Sequence, residues 1–136
     1  MTDMLTCISP IDGSVFAERP VSTFEAATAA IGRARAAQLD WAARPLSERI
    51  ALVQQGVANV GAMNDDVVPE IAHQMGRPGR YGGEFGGFNE RATYMAEIAE
   101  QALAPIVIED SDAFLRKIER EPLGVALVVA PWNYPY

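Results

Sequence analysis

Apolar residues recur at spacings of three and four along the middle of the chain, and the period differs on either side of that region. In Leu5 to Val21, Ser9-Pro10-Ile11-Asp12-Gly13 supplies turn residues, and Val15 and Phe16 resume a strand after it. Proline fixes φ and Asp-Gly tolerates a tight bend, so 5–21 is predicted to be a short extended pair. Pro20 argues against a central strand there. Ser22-Thr23-Phe24-Glu25 has the spacing of a capping box, with the Ser22 oxygen accepting a backbone N–H and Glu25 reaching back. Behind it, Ala27, Ala30, Ala34, Ala37 and Trp41 form one helical stripe with Ile31 beside it, ended by Pro45. A second helix is predicted over roughly Leu46 to Met63, with Ile50, Val53, Val57 and Val60 on one face and Gly56 and Gly61 weakening it. Asn64-Asp65-Asp66 suits a new helix N-terminus; Val68, Ile71, Ala72 and Met75 make its stripe, and Gly76 its C-cap before Pro78. A fourth helix is predicted from Phe85, Phe88, Ala92, Met95, Ala99 and Ala102, ended by Pro105, its start blurred by Gly82, Gly83, Gly86 and Gly87.

Beyond Pro105 the period changes. Ile106-Val107-Ile108 predicts a strand, Glu109 to Asp112 a turn, and Phe114 to Glu121 an exposed or edge ribbon, because neither of its faces is purely apolar. After Pro122-Leu123-Gly124, the run Val125 to Ala130 is apolar throughout. A strand of that kind is ordinarily buried on both faces of a parallel sheet covered by helices. The organisation is therefore α/β: an extended pair at 5–21, a helical layer at 22–104, a ribbon at 106–121, and a strand with its loop at 125–136. The chain looks like the opening of a larger α/β protein, with Val125 to Ala130 left as an exposed apolar edge when it stands alone.

The sequence has 136 residues, 49% hydrophobic and 21% charged, a globular balance for one domain. A net charge of -7 without a basic stripe argues against nucleic acid and anionic membrane as partners. No apolar run approaches a membrane span, and Met1-Thr2-Asp3-Met4 lacks a leader-like basic start, so the expectation is a soluble cytoplasmic protein. Cys7 and His73 are each alone of their kind, which argues against a disulfide and against a protein-built transition-metal site. Cys7 reads as a small hydrophobe, and His73 as a cation favoured by a helix C-terminus. The stretch Gly79 to Gly87 does not fit a dinucleotide fingerprint and follows a helix rather than a strand, so it reads as a helix connection. Glu97 and Glu100 fall on a polar face and do not specify acid–base chemistry.

Pro131-Trp132-Asn133-Tyr134-Pro135 differs from these. It follows the C-terminal end of the apolar run, the edge where open α/β sheets bind ligands. An amide between two large aromatics suits either of two roles. Asn133 can donate an N–H to a developing oxyanion, or it can satisfy local backbone in a rigid turn. On the residues alone the two readings stand level.

Asn133 within Ala130-Pro131-Trp132-Asn133-Tyr134-Pro135, preceded by Arg120-Glu121-Pro122-Leu123-Gly124-Val125, resembles the NAD(P)-dependent aldehyde dehydrogenase superfamily. Ile8-Ser9-Pro10 with Asp12-Gly13, Trp41 with Pro45-Leu46 and Glu48-Arg49, and Met75-Gly76-Arg77-Pro78 are similar to earlier stretches of that family, with Arg77 in a lysine position. The resemblance implies an N-terminal part of the aldehyde dehydrogenase fold: four helices, an exposed ribbon belonging to an oligomerisation domain, and the first strand of a Rossmann-like cofactor domain. It implies oxidation of an aldehyde to a carboxylic acid through a cysteine thiohemiacetal and thioester. Asn133 matches the oxyanion-hole amide; Ala130, Pro131 and Trp132 match positions beside the NAD or NADP; Tyr134 matches a position near the substrate tunnel. The family's nucleophilic cysteine, general-base glutamate, cofactor lysine and Gly-rich turn would all follow this motif, and Cys7 does not match the nucleophile. The match covers roughly the first quarter to third of a family member. The 136 residues alone are therefore expected to be inactive and to bind the cofactor poorly, with an aldehyde substrate and a homo-oligomer expected of the full-length parent. The alternative is a non-catalytic interaction or oligomerisation protein using the ribbon as a strand edge.

Overall fold

The computed structural model describes residues 3–136; Met1 and Thr2, part of the N-terminal stretch read for a leader, lie outside the described residues. Strands β1 (Met4–Ile8) and β2 (Val15–Pro20) pair antiparallel, Met4 opposite Pro20 and Cys7 opposite Ala17. The turn between them closes as its residues dictate. Ser9 N–H donates to the Ser14 carbonyl at 2.8 Å and Gly13 N–H to the Ser9 carbonyl at 2.9 Å. Pro20 occupies the last position of a two-stranded ribbon, where a missing donor costs little.

Helix α1 (Phe24–Ala43) starts one residue later than the capping-box spacing predicts. Thr23, not Ser22, is the N-cap: its Oγ1 accepts from Ala26 N–H at 3.1 Å. Both residues are good caps, and the shift places Glu25 too early in the helix for the reciprocal bond. Glu25's own backbone N–H and then the Thr23 hydroxyl instead hold its exposed carboxyl below the usual 4.5. No α1 residue is buried, and only the far end of the alanine stripe, at Trp41, reaches the other helices.

Helices α2 (Leu46–Ala62) and α4 (Phe85–Leu103) pack side by side. Ile50 and Val53 of α2 meet Ala92, Met95, Ala96 and Ala99 of α4 around a shallow apolar cavity closed by Trp41. Gly61, expected only to weaken α2, makes this packing possible: a Cβ there would lie 2.5 Å from the Phe85 ring. The start of α4 is settled at Phe85, with Gly86 and Gly87 accommodated in its first turn.

Helix α3 (Asn64–Met75) follows α2 after the single residue Met63. Its C-cap is Gly76 at φ +79, a left-handed conformation that glycine adopts without Cβ strain. Among the described residues the buried apolar side chains are Val67 and Ile71, one turn apart on α3; Val68, favoured by the sequence pattern, is only half-buried. The β1–β2 ribbon docks on this helix. His73 Nδ1 shares a hydrogen bond with the buried Ser9 Oγ at 3.3 Å, and the His73 ring stacks on Phe16 at 4.9 Å.

Strands β3 (Ile106–Asp110) and β4 (Leu115–Ile118) form the second antiparallel ribbon, and β4 is exposed along its length. The strand expected over Val125 to Ala130 is the main departure. Residues 119–131 carry no regular structure, and Leu127, Val128 and Val129 are 89%, 85% and 81% exposed. The cause is physical: a strand exists through its ladder, and no strand lies beside this stretch among the described residues.

Candidate functional site

The C-terminal loop is bound to the helical unit, although the stretch before it is not. Tyr134 N–H donates to the Pro131 carbonyl at 3.1 Å, which closes the backbone into a turn around Trp132 and Asn133. Arg77, just past the Gly76 cap, then reaches across. Its Nη2 donates to the Asn133 carbonyl at 3.0 Å, and its guanidinium carbon lies 5.7 Å from the centre of the Tyr134 ring. Arg77 Nη1 sits 2.8 Å from Oε1 of Glu84, whose side chain is 1% exposed. The N–H is not aimed at that oxygen, so the contact is a charge pair rather than an aligned hydrogen bond. The other Glu84 oxygen, Oε2, accepts from Tyr136 N–H at 2.8 Å.

Glu84 is placed by its position immediately before α4, where the positive end of the helix dipole favours a carboxylate. Arg77 is placed by α3 and its left-handed cap. Tyr136 adds a third anchor, its hydroxyl donating to Glu70 Oε2 at 2.7 Å. Burial, then the Glu70 carboxylate, holds that phenol above its usual 10.0. Beside Glu84 lies a cavity of about 140 Å3 lined by Val60, Asn64, Val67, Phe85, Phe88 and Tyr136.

The structure thus brings Asn133 and Tyr134 together with Arg77 and Glu84, two residues that sequence reasoning did not single out as functional. Their signal was faint: Arg77 stood out only as an arginine in a lysine position, and its partners lie seven and 56 residues away. Ala130, Pro131 and Trp132 lie in the same loop and are exposed. The Asn133 side-chain amide makes no hydrogen bond with any described residue, so the turn is closed by backbone and by Arg77 rather than by that amide. Cys7 is half-buried in the β1 ladder, and His73 is engaged by Ser9 and Phe16.

The glycine-rich stretch before α4 does not form a phosphate cradle. Gly79–Tyr81 forms a 3-10 turn, and a Cβ on Gly83 would lie 2.7 Å from Asn64 Oδ1, so this glycine is packed on α3 rather than open to a phosphate. The residue entering α4 is the anionic Glu84, which disfavours an anion at that helix start. Among the described residues no group of His, Cys, Asp or Glu could hold a metal ion, and no helix is long and apolar enough to cross a membrane.

The model of the aldehyde dehydrogenase family matches residues 2–136. The chain belongs to the aldehyde dehydrogenase family. A protein of Mycolicibacterium smegmatis named "Putative succinate-semialdehyde dehydrogenase, NADP(+)" is 34% identical over 85% of this chain and 23% of its own length. A "Probable aldehyde dehydrogenase" of a Pseudomonas species is 29% identical over 98% of this chain and 27% of its own length. The crystal structure of NADP-dependent glyceraldehyde-3-phosphate dehydrogenase from Bacillus halodurans, complexed with NADP, superposes with a TM-score of 0.80 at 26% identity. That match covers 98% of this chain and 29% of the other. The chain spans about a quarter of the length of the curated relatives it matches. These matches agree with the architecture of four helices and two small antiparallel ribbons as an N-terminal part of the aldehyde dehydrogenase fold.

Proposed function

We propose that this aldehyde dehydrogenase family chain supplies one wall of the reaction site of an NAD(P)-dependent enzyme that oxidises an aldehyde to a carboxylic acid. Its contribution is the loop Ala130–Tyr134. When a nucleophile adds to the aldehyde carbon, negative charge develops on the carbonyl oxygen. The Asn133 amide N–H donates to that oxygen, with the gain concentrated in the transition state, where the charge is largest. The observation that carries this reading is the division of labour at Asn133. Its backbone carbonyl is held by Arg77, while its side-chain amide has no partner among the described residues. Tyr134, next to it, lines the approach of the aldehyde. Ala130, Pro131 and Trp132 lie towards the dinucleotide, whose binding surface is completed by residues other than those described. The nucleophile is not Cys7, which belongs to the β1 ladder. On this reading the 136 residues acting alone are inactive, and the full-length parent is an oligomer that meets its copies through β3–β4.

The test uses the polypeptide that carries this sequence, purified from its own cells, with its intact mass measured. A species several times heavier than 14.7 kDa is expected to form NADH or NADPH in the presence of an aldehyde. Asn133→Ala is expected to lower kcat by about 10²–10³-fold, the scale of a lost oxyanion donor. Unchanged kcat in Asn133→Ala would remove Asn133 from the reaction. Activity of a 14.7 kDa species that survives Cys7→Ser would refute the proposed inactivity of the 136 residues. An inactive 14.7 kDa species would instead favour the second reading, a non-catalytic protein that pairs through the exposed edge of β4.

A further inference from the structure

We propose that Arg77, backed by Glu84, is the positioning residue that fixes Asn133 for the reaction, an inference that rests on the oxyanion reading above. The two charged residues hold the loop from both ends. Arg77 takes the Asn133 carbonyl at 3.0 Å, and Glu84 takes the Tyr136 N–H at 2.8 Å. They are held to each other at 2.8 Å, with the carboxylate almost wholly out of water. The loop therefore has little freedom to slide relative to the starts and ends of α3 and α4, which carry the pair. One nitrogen of Arg77 faces Glu84 while a second donates to the Asn133 carbonyl. What the position supplies is a positive charge beside a buried carboxylate and a donor to that carbonyl, and a lysine ammonium, the residue of the resembled family here, also carries both. Methionine keeps the stem and removes both. Arg77 touches no reacting atom on this reading. It acts through Asn133, so Arg77→Met should move catalysis only while the Asn133 amide is present.

Five forms of the full polypeptide from its own cells decide the matter: unaltered, Arg77→Met, Arg77→Lys, Asn133→Ala and the Arg77→Met, Asn133→Ala double variant. Arg77→Met is expected to keep KM and to lower kcat by up to about 10²-fold, the scale of a misplacement by about 1 Å, and Arg77→Lys to keep most of kcat. In the Asn133→Ala background Arg77→Met is expected to cost nothing more, because the group it positions is gone. Equal losses in both backgrounds, or an unchanged kcat in Arg77→Met, would overturn the proposal. Hydrogen exchange separates its failure from that of the oxyanion reading. If Asn133→Ala leaves kcat unchanged, the oxyanion reading falls and this inference falls with it, whatever the exchange shows. If Asn133→Ala lowers kcat, faster exchange at the amides of Asn133, Tyr134 and Tyr136 in Arg77→Met, with α3 unchanged, supports the clamp, and unchanged exchange refutes it.

Discussion

Helix α3 and the stretch from Leu123 to Val129 both carry aliphatic side chains, and they meet opposite ends. Ile71 of α3 is fully buried, whereas Leu127, Val128 and Val129 stand almost wholly in solvent. Hydropathy alone would rank them the other way, since 125–130 is uniformly apolar and α3 begins Asn64-Asp65-Asp66. The difference lies in how many distant segments reach each one. The β1–β2 ribbon comes to α3 through Ser9 and His73, the glycine-rich turn comes through Val68, and Arg77 and Glu84 bring the C-terminal loop. The stretch 123–127 borders an open groove with Ile31, Arg35, Gln38 and Leu39 of α1. Burial follows from convergence of elements, and an apolar run without a neighbour remains exposed.

Substitution in the two regions tests this contrast most strongly. Ile71→Ala should cost about 2–5 kcal/mol of stability, the range for emptying a fully buried aliphatic site. Leu127→Ala should change stability by less than about 0.5 kcal/mol, as expected of an exposed side chain. Urea unfolding of each variant of the 136-residue chain checks both numbers. Equal losses would break the comparison, and would mean that 123–129 is covered as well as α3 is. The same pair measured in a longer polypeptide would sharpen it: a loss at Leu127 appearing only there would show the cover to come from outside these residues.

A smaller effect separates two glycines within α2. Gly61→Ala should destabilise by about 1–3 kcal/mol, because its Cβ would lie 2.5 Å from the Phe85 ring and force the α2–α4 contact apart. Gly56→Ala meets nothing within 4 Å and should stabilise by about 0.5–1 kcal/mol through helix propensity. Thermal unfolding that moves in the same direction for both would mean that α2 and α4 are not packed as described.

The same distinction explains what the sequence could reveal. The helices α2, α3 and α4 are legible because each carries its own periodic stripe and a local end signal, Asn64-Asp65-Asp66 after α2, Gly76 after α3 and Pro105 after α4. The ribbon β3–β4 was legible from alternation around a polar turn. The choice of Thr23 over Ser22 was not, since two adjacent residues have the same capping chemistry and the register of the following turn decides between them. Val67 rather than Val68 is buried because the side of α3 that is covered depends on where α2, α4 and Tyr136 meet it: Val67 shares a cavity with Val60, Phe85, Phe88 and Tyr136. Asn133 was visible as a candidate through its neighbours in the chain. Arg77 and Glu84 were not, because their meeting with residues 133–136 is a tertiary event with no local pattern.

The smallest expected effect concerns the turns of the two ribbons. In the β1–β2 turn, Asp12 Oδ1 accepts from Ser14 Oγ at 2.7 Å and from Ser14 N–H at 3.0 Å. The Ser14 hydroxyl first, and the Ser14 backbone second, hold the exposed Asp12 carboxyl below its usual 3.8. A carboxyl depressed in the folded state contributes stability that is fully present above 3.8 and is lost as the pH falls through the lower folded value. Ser14→Ala removes the leading cause and leaves the backbone donor, so Asp12 should titrate closer to 3.8 without reaching it. The stability difference between the two forms should hold at neutral pH and close below that value. Carboxyl-carbon NMR titration of Asp12 reads the shift directly. The β3–β4 turn is built with the serine on the other side: Ser111 Oγ donates to Glu109 Oε1 at 3.1 Å and accepts from Phe114 N–H at 3.2 Å. Ser111→Ala therefore removes a backbone partner from the tip of an exposed ribbon, and its effect should be confined to exchange of the Phe114 amide. If Ser14→Ala left the Asp12 titration where it was, the docked ribbon would owe its turn to packing on α3 alone, and the two turns would differ only in what lies beneath them.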